Sequence, residues 1–148
     1  MALFNKKEEV IKTVVNSTVF ITSEELEWKV IKIVYDENSI SFKEEPIIEY
    51  TYIISDSLNA TYKIGRTTNN PLERLGNLRT ANPRVSLKMV FPFQEFSEKE
   101  LHEKYDAYRK DREWFFSTKE MTDFVEKTVD RNENLIKMYK IFKSVNGK

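Results

Sequence analysis

Five side chains, widely spaced along the chain, have the chemical character needed for anion binding and proton transfer: Tyr52, Lys63, Arg74, Glu98 and His102. A phenol, an ammonium group and an imidazole can give or take a proton. A guanidinium offers a planar fork to an oxyanion, and a carboxylate offers hard oxygen atoms. His102 is the chain's single histidine and the one group among the five whose unperturbed pKa lies near neutrality. A cationic window surrounds several of them. Residues 62–88 hold Lys63, Arg66, Arg74, Arg79, Arg84 and Lys88 against one acid, Glu73, a local charge of +5. The whole chain of 148 residues is neutral, with 24 basic and 24 acidic residues, because residues 1–49 hold six Lys and ten Asp or Glu. A local patch of this kind can hold a polyanion despite zero net charge; the alternative is an ordinary solvated face.

The elements that position these residues follow from local pattern. Tyr50-Thr51-Tyr52-Ile53-Ile54-Ser55 is rich in strand formers. With Asp56-Ser57-Leu58-Asn59 as a four-residue turn, Ala60 to Gly65 returns as a second strand. That register sets Tyr52 opposite Lys63, on one face of a sheet. Asn70, Pro71 and Glu73 predict a capped helix carrying Arg74, with Leu72, Leu75 and Leu78 inward. Val85 to Phe91 reads as a third strand. Ser97 and Glu100 predict a capping box that opens a helix with Leu101, Tyr105 and Tyr108 buried, and Glu98 and His102 side by side four residues apart. Ser117 with Glu120 reads as a further box, opening a final helical region interrupted near Asn132.

Upstream, residues 3–16 show helical apolar spacing at Leu3, Val10, Ile11, Val14 and Val15, and Thr18–Thr22 reads as a short strand. Leu26–Tyr35 suits either a helix or a β-branched strand, and Ile40–Lys43 could return as a hairpin. The charge cluster Glu44-Glu45-Pro46 marks a boundary, so the chain divides into an N-terminal extension, 1–48, and a domain over 49–148 that includes the C-terminal helical region. The acidic extension is expected to be dispensable for chemistry at the basic patch.

The ordered text Tyr50-Thr51-Tyr52-Ile53-Ile54, Tyr62-Lys63-Ile64-Gly65-Arg66-Thr67, Arg74, Glu98-Lys99-Glu100-Leu101-His102 and Glu113-Trp114-Phe115 resembles the GIY-YIG nuclease superfamily. It is most similar to the phage and large-DNA-virus branch named after a phage T5 reading frame. The resemblance covers roughly residues 48–118. It implies an α+β domain with a central three-stranded antiparallel sheet flanked by helices; the N-terminal α/β extension and the C-terminal helical segment lie outside that core. It also implies divalent-metal-dependent hydrolysis of phosphodiesters in DNA.

By the same resemblance the first motif tyrosine is Tyr52, the second motif position is Lys63 in place of tyrosine, the family arginine is Arg74, and the metal-binding glutamate is Glu98. The implied cofactor is Mg²⁺ or Mn²⁺, which binds phosphate through few protein ligands and keeps most of its waters. Arg74 would take phosphate oxygens bidentately. Lys63 beside Tyr52 would favour phenolate, and Tyr52 would then act as general base. His102 would orient or relay a proton. Arg66, Arg79, Arg84 and Lys88 are candidates for contacts to the DNA backbone.

Each assignment has a structural alternative. Tyr52 could be a core-facing strand residue, Glu98 an acid favoured in a helix's first turn, and Glu100 only the cap partner. His102 could be a satisfied helix histidine and Arg74 a surface charge. Trp114 and Phe115 read as core anchors, and Glu113 as either a surface acid or a site residue. At the level of function, the alternatives to an endonuclease are a nucleic-acid-binding module with weak catalysis and a protein-interaction domain, with a protein partner or homodimer engaged through residues 1–48 or the C-terminal helix. The absence of cysteine excludes disulfides, thiolate metal sites and cysteine nucleophiles. No apolar run approaches a membrane span of about 18 residues, and Met1–Lys6 has no export pattern, so a cytoplasmic location is expected.

Overall fold

The computed structural model describes residues 14–22, 27–36, 39–93 and 95–147. They form two compact units: residues 47–135, and residues to Pro46 together with those from Ile136 onward.

The first three strands, β1 (Val14–Thr22), β2 (Glu27–Asp36) and β3 (Ser39–Pro46), make an antiparallel meander in the order β1-β2-β3. Val19 pairs with Val30 and Ile33 with Phe42. The ambiguous stretch Leu26–Tyr35 is therefore strand from Glu27, where runs of β-branched residues outweigh the helix-start signal at Ser23. The helix expected over 3–16 lies mostly outside the described residues; its last three positions, Val14 to Asn16, belong to β1. In the same unit Phe42 packs edge-on to Tyr139 at 5.5 Å between ring centroids and lies 4.8 Å from Phe142.

The 47–135 unit is built on β4 (Tyr50–Asp56), β5 (Thr61–Thr67), β6 (Val85–Pro92), β7 (Arg109–Asp111) and β8 (Trp114–Phe116). They form one antiparallel sheet in the order β6-β4-β5-β8-β7. The sheet thus has five strands rather than three. The two additions are three residues each, too short to carry a readable alternation. Three helices accompany the sheet: α1 (Pro71–Ala81), α2 (Glu98–Lys104) and α3 (Lys119–Phe142), whose residues from Ile136 onward belong to the other unit. α3 is continuous, so the interruption expected near Asn132 is absent. One core joins Ile53, Ile64, Met89, Phe91, Leu101, Tyr105, Phe115, Met121 and Val125. Phe115 is fully buried in it, and Trp114 is half-buried.

The caps show how local sequence sets the helix starts. Ser97 and Glu100 close a complete capping box, Glu100 N–H donating to Ser97 Oγ at 3.1 Å and Ser97 N–H to Glu100 Oε1 at 3.0 Å. At α1 the Asn70 side chain instead accepts from Leu72 N–H at 2.9 Å, and Glu73 N–H bonds the Asn70 carbonyl. At α3 the cap falls one residue later than expected: Thr118 Oγ1 accepts from Met121 N–H, while the Ser117 hydroxyl bonds the Ala60 carbonyl. Glu120 is then free of the box and accepts from the Tyr108 hydroxyl at 2.6 Å.

The β4–β5 register differs from the expected one in a way that matters for the site. Asp56 pairs with Thr61, Ile54 with Lys63 and Tyr52 with Gly65. Asp56 stays in the strand, and the loop runs from Ser57 to Ala60. Ala60 closes it in the left-handed region at φ 54°, a conformation that an alanine does not advertise. Tyr52 and Lys63 still share a face but are diagonal neighbours.

Candidate active site

Tyr52 is 2% exposed, and its ring lies across Gly65. A Cβ at position 65 would stand 2.5 Å from the Tyr52 hydroxyl oxygen and 2.6 Å from Cζ, so the glycine is there to let the ring pass. The phenol is thereby carried toward the C-terminal end of β5. There a cleft of about 540 Å³ opens, lined by Glu49, Arg66, Thr67, Thr68, Asn69, Arg74, Glu98 and Glu113. Glu49 precedes β4, Arg66 and Thr67 end β5, and Arg74 lies on α1. Glu98 opens α2, and Glu113 immediately precedes β8 after the left-handed Arg112 at φ 54°.

Folding changes the charge of this region. The cationic window contributes Lys63, Arg66 and Arg74, and three carboxylates from outside it, Glu49, Glu98 and Glu113, arrive beside them. Arg66 donates to Glu49 Oε2 at 3.1 Å and lies 3.8 Å from Glu98 Oε1. Lys63 Nζ forms a close ion pair with Glu113 Oε1. The two carboxyls of Glu98 and Glu113 are near enough to share a hydrogen bond. Burial and then the charge of Glu113 push the Glu98 carboxyl above the usual range. Burial would also raise Glu113, but the hydrogen bond and charge of Lys63 outweigh it and hold that carboxyl low.

The phenol's cationic neighbour is Arg74. Burial raises the Tyr52 pKa, Arg74 opposes it, and Glu113 and Glu98 add to the rise. Lys63 was expected to serve as that neighbour through direct opposition to Tyr52. The register removes the opposition, and the Lys63 ammonium is engaged by Glu113. His102 Nε2–H donates to the Ile64 carbonyl at 2.8 Å and stands 3.9 Å from Glu98 Oε2, with its ring 5.1 Å from Phe115. Since a carbonyl can only accept, Nε2 carries a proton in this bond.

A model of the T5orf172 domain matches residues 49–133, more than half of the chain. The chain belongs to the T5orf172 domain family. The matched span starts at Glu49, the first residue of the cleft, and contains every residue that lines it. This family is nuclease-associated. No curated protein and no solved structure matched the chain.

Within the T5orf172 domain, the residues singled out in the sequence divide into two groups. Arg66, Arg74 and Glu98 line the cleft, with Tyr52, Lys63 and His102 reaching it or its lining residues. Arg79, Arg84 and Lys88 do not line it. Arg79 Nε donates to the Val85 carbonyl at 3.1 Å, which ties α1 to β6. Arg84 sits exposed in the turn before β6. Lys88 is the extra residue where β6 bulges against β4, since Ile53 pairs with Met89 and Ile54 with Leu87. A lysine on a bulged edge strand also guards that edge against further pairing. Glu100 is committed to its cap. Glu49 went unnoticed in the sequence because nothing distinguishes it from the run of acids before it.

No group of three or more His, Asp or Glu converges on one point among the described residues. Mg²⁺ and Mn²⁺ do not require one, because one or two carboxylates and several waters satisfy them. The donor set fits such an ion. Glu98 and Glu113 both line the cleft, the Glu98 carboxyl is raised in pKa with its nearest cations, Arg66 and His102, no closer than 3.8 Å, and the Tyr52 side chain, 2% exposed, makes no hydrogen bond through its hydroxyl among the described residues. Among the described residues, no helix is long and apolar enough to cross a membrane.

Proposed function

We propose that this chain is a divalent-metal-dependent endonuclease of the GIY-YIG type that hydrolyses phosphodiester bonds in DNA. The observation that carries the reading is that Arg74 and Glu98 line one charged cleft while Tyr52, Lys63 and His102, from two strands and the Glu98 helix, adjoin the residues that line it. Structural needs alone do not bring a buried phenol, an arginine fork and paired carboxyls to one place.

In this reading Glu98 holds Mg²⁺ or Mn²⁺, which supplies, when bound, neutralising charge for the phosphate and a water of lowered pKa. Arg74 binds the non-bridging phosphate oxygens through its fork. Tyr52 Oη is the proton-handling atom: burial favours the phenol and Arg74 the phenolate, so as a base it depends on Arg74. His102 is anchored through Nε2, which leaves Nδ1 as the atom able to take a proton. Arg66 at the lip of the cleft, and Arg79, Arg84 and Lys88 beyond it, contact the DNA backbone. The cleft's three carboxylates match Arg66, Arg74 and the adjoining Lys63 without the metal, so anion binding is expected to strengthen with it. The second reading, a binding module that does not cut, is favoured by one observation, the burial that keeps Tyr52 protonated.

Incubation with supercoiled plasmid and Mg²⁺ or Mn²⁺, with and without EDTA, tests the two. Nicked or linear product that disappears in EDTA is expected, together with a Glu98→Ala variant that binds DNA and cuts at background. A wild-type protein that shifts DNA and leaves it intact under all metals selects the binding module.

A further inference from the structure

We propose that Glu113 is the second carboxylate of the cation site and that Lys63 is the positioning residue that aims it. This rests on the metal-dependent reading above.

The backbone delivers Glu113 to the site. Its carbonyl accepts from Ile64 N–H at 2.9 Å, fixing it to β5 next to Lys63, and Arg112 in the left-handed region turns the chain just before it. Lys63 is itself half-buried, with its ammonium 5.9 Å from the Trp114 ring centroid, so its stem has little freedom. Its ammonium engages Glu113 Oε1, which leaves Oε2 as the oxygen offered to a cation. Glu98 could have turned outward, as its neighbours Lys99 and Glu100 do, but its side chain is only 20% exposed and meets Glu113 instead. The independent sign of a missing ligand is Tyr52. Its side chain is 2% exposed, its hydroxyl lies over Gly65 beside the cleft residue Arg66 and within range of the charges of both carboxyls, and it makes no hydrogen bond among the described residues. A hydrated divalent ion would satisfy both needs, since it accepts oxygen ligands from the carboxyls and its waters can bond the phenol.

The role of Lys63 can be separated from its charge. An ammonium beside a cation site repels the cation, so on charge alone Lys63→Met should tighten metal binding. If Lys63 works by holding Glu113, the same variant should weaken it, by about tenfold as for other residues that orient metal ligands, and Lys63→Arg should restore it.

The test is Mn²⁺ binding to the full chain without DNA, read by electron paramagnetic resonance of the free ion, with circular dichroism to establish folding. Glu113→Gln and Glu98→Gln should each weaken Mn²⁺ by tenfold or more, with Glu113→Asp between wild type and Glu113→Gln. If Glu113→Gln does not fold, Glu113→Asp carries the test, and wild-type affinity in it overturns the proposal. Wild-type affinity in Glu113→Gln alongside loss in Glu98→Gln overturns the second-carboxylate role and leaves the proposed function standing. Unchanged or tighter binding in Lys63→Met overturns the positioning role. A wild-type protein that binds no Mn²⁺ overturns both this inference and the metal-dependent reading.

Discussion

The two ends of the β4–β5 hairpin each hold a carboxyl in a confined place, and the surroundings treat the two oppositely. At the turn, Asp56 is 4% exposed and accepts four hydrogen bonds: from Leu58 N–H at 3.0 Å, Asn59 N–H at 3.2 Å, and the side-chain amides of Asn59 and Asn82, each at 2.8 Å. Burial alone would raise its pKa, but these bonds together hold it below the usual range. At the open end, burial raises Glu98 and Glu113 raises it further. Burial is thus common to both, and the supply of donors decides the outcome. An acid whose donors all come from its own chain closes a turn. An acid turned toward another acid, with Arg66 and His102 no nearer than 3.8 Å, is short of donors, a need that a bound cation would meet in the proposed reading.

The sharpest way to test the contrast is to remove the proton-handling group at the open end. Tyr52→Phe keeps the ring over Gly65 and deletes only the hydroxyl. It should lower the single-turnover cleavage rate by about 10²–10⁴ if Tyr52 handles the proton, with little change in urea stability. Because the phenol's cationic neighbour is Arg74, Tyr52→Phe and Arg74→Met should be strongly non-additive, as residues of one step are, whereas Tyr52→Phe and Lys63→Met should combine more nearly independently. Wild-type cleavage by Tyr52→Phe would remove tyrosine from the chemistry, and stronger coupling to Lys63 than to Arg74 would reverse the pairing.

At the turn the expected effect is smaller and falls on stability. Asp56→Ala leaves the donors of Leu58, Asn59 and Asn82 without their acceptor, a loss of about 1–3 kcal/mol per buried unsatisfied group at most. Urea unfolding at neutral pH should report a destabilisation in that range, while cleavage by the folded fraction stays at the wild-type rate. The sign with pH follows from the lowered carboxyl. Its contribution is full above the unfolded value of about 3.9 and is lost as pH falls through the lower folded value, so wild type and variant should converge in acid. A variant of unchanged stability that cuts slowly would show that this end also belongs to the site.

The same hairpin shows what was legible in the sequence. Tyr52, Lys63, Arg74, Glu98 and His102 could be named because their types and order carry the resemblance, and the elements bearing them were marked by strand formers and by Asn70-Pro71 and Ser97 caps. Their pairing could not. Asp56 looks like a turn residue and is a strand residue, while Ala60 looks neutral and adopts the left-handed turn conformation. That displacement moved Lys63 from Tyr52 to Glu113. Glu49 was missed, and Glu113 stayed open between surface and site, for a different reason: a carboxylate's role depends on which charges folding brings to it, and these come from residues far apart in the chain. The short strands β7 and β8 lack the length for a periodic signal.

The smallest expected effect separates the two ends most directly. In EDTA, Glu98→Gln should raise the melting temperature at neutral pH, by a few °C at most on the usual scale for chains of about 150 residues. The reason lies in the sign of its shift. A carboxyl raised in the folded state binds its proton more tightly there than in the unfolded chain, so its ionisation costs stability, and the cost grows as pH rises through the folded value. Glutamine keeps the shape, adds donors toward Glu113 and removes the cost. Below the unfolded value of about 4.3 the glutamate is protonated in both states, so the gain should vanish in acid. Asp56→Asn should go the other way at neutral pH, because the amide that replaces one acceptor oxygen confronts donors of Leu58, Asn59 and Asn82. Paired melting curves between pH 4 and 7.5 read both signs together. A Glu98→Gln variant less stable than wild type in EDTA at neutral pH would mean that Glu98 is satisfied within its own chain, and that the difference between the two ends is one of degree only.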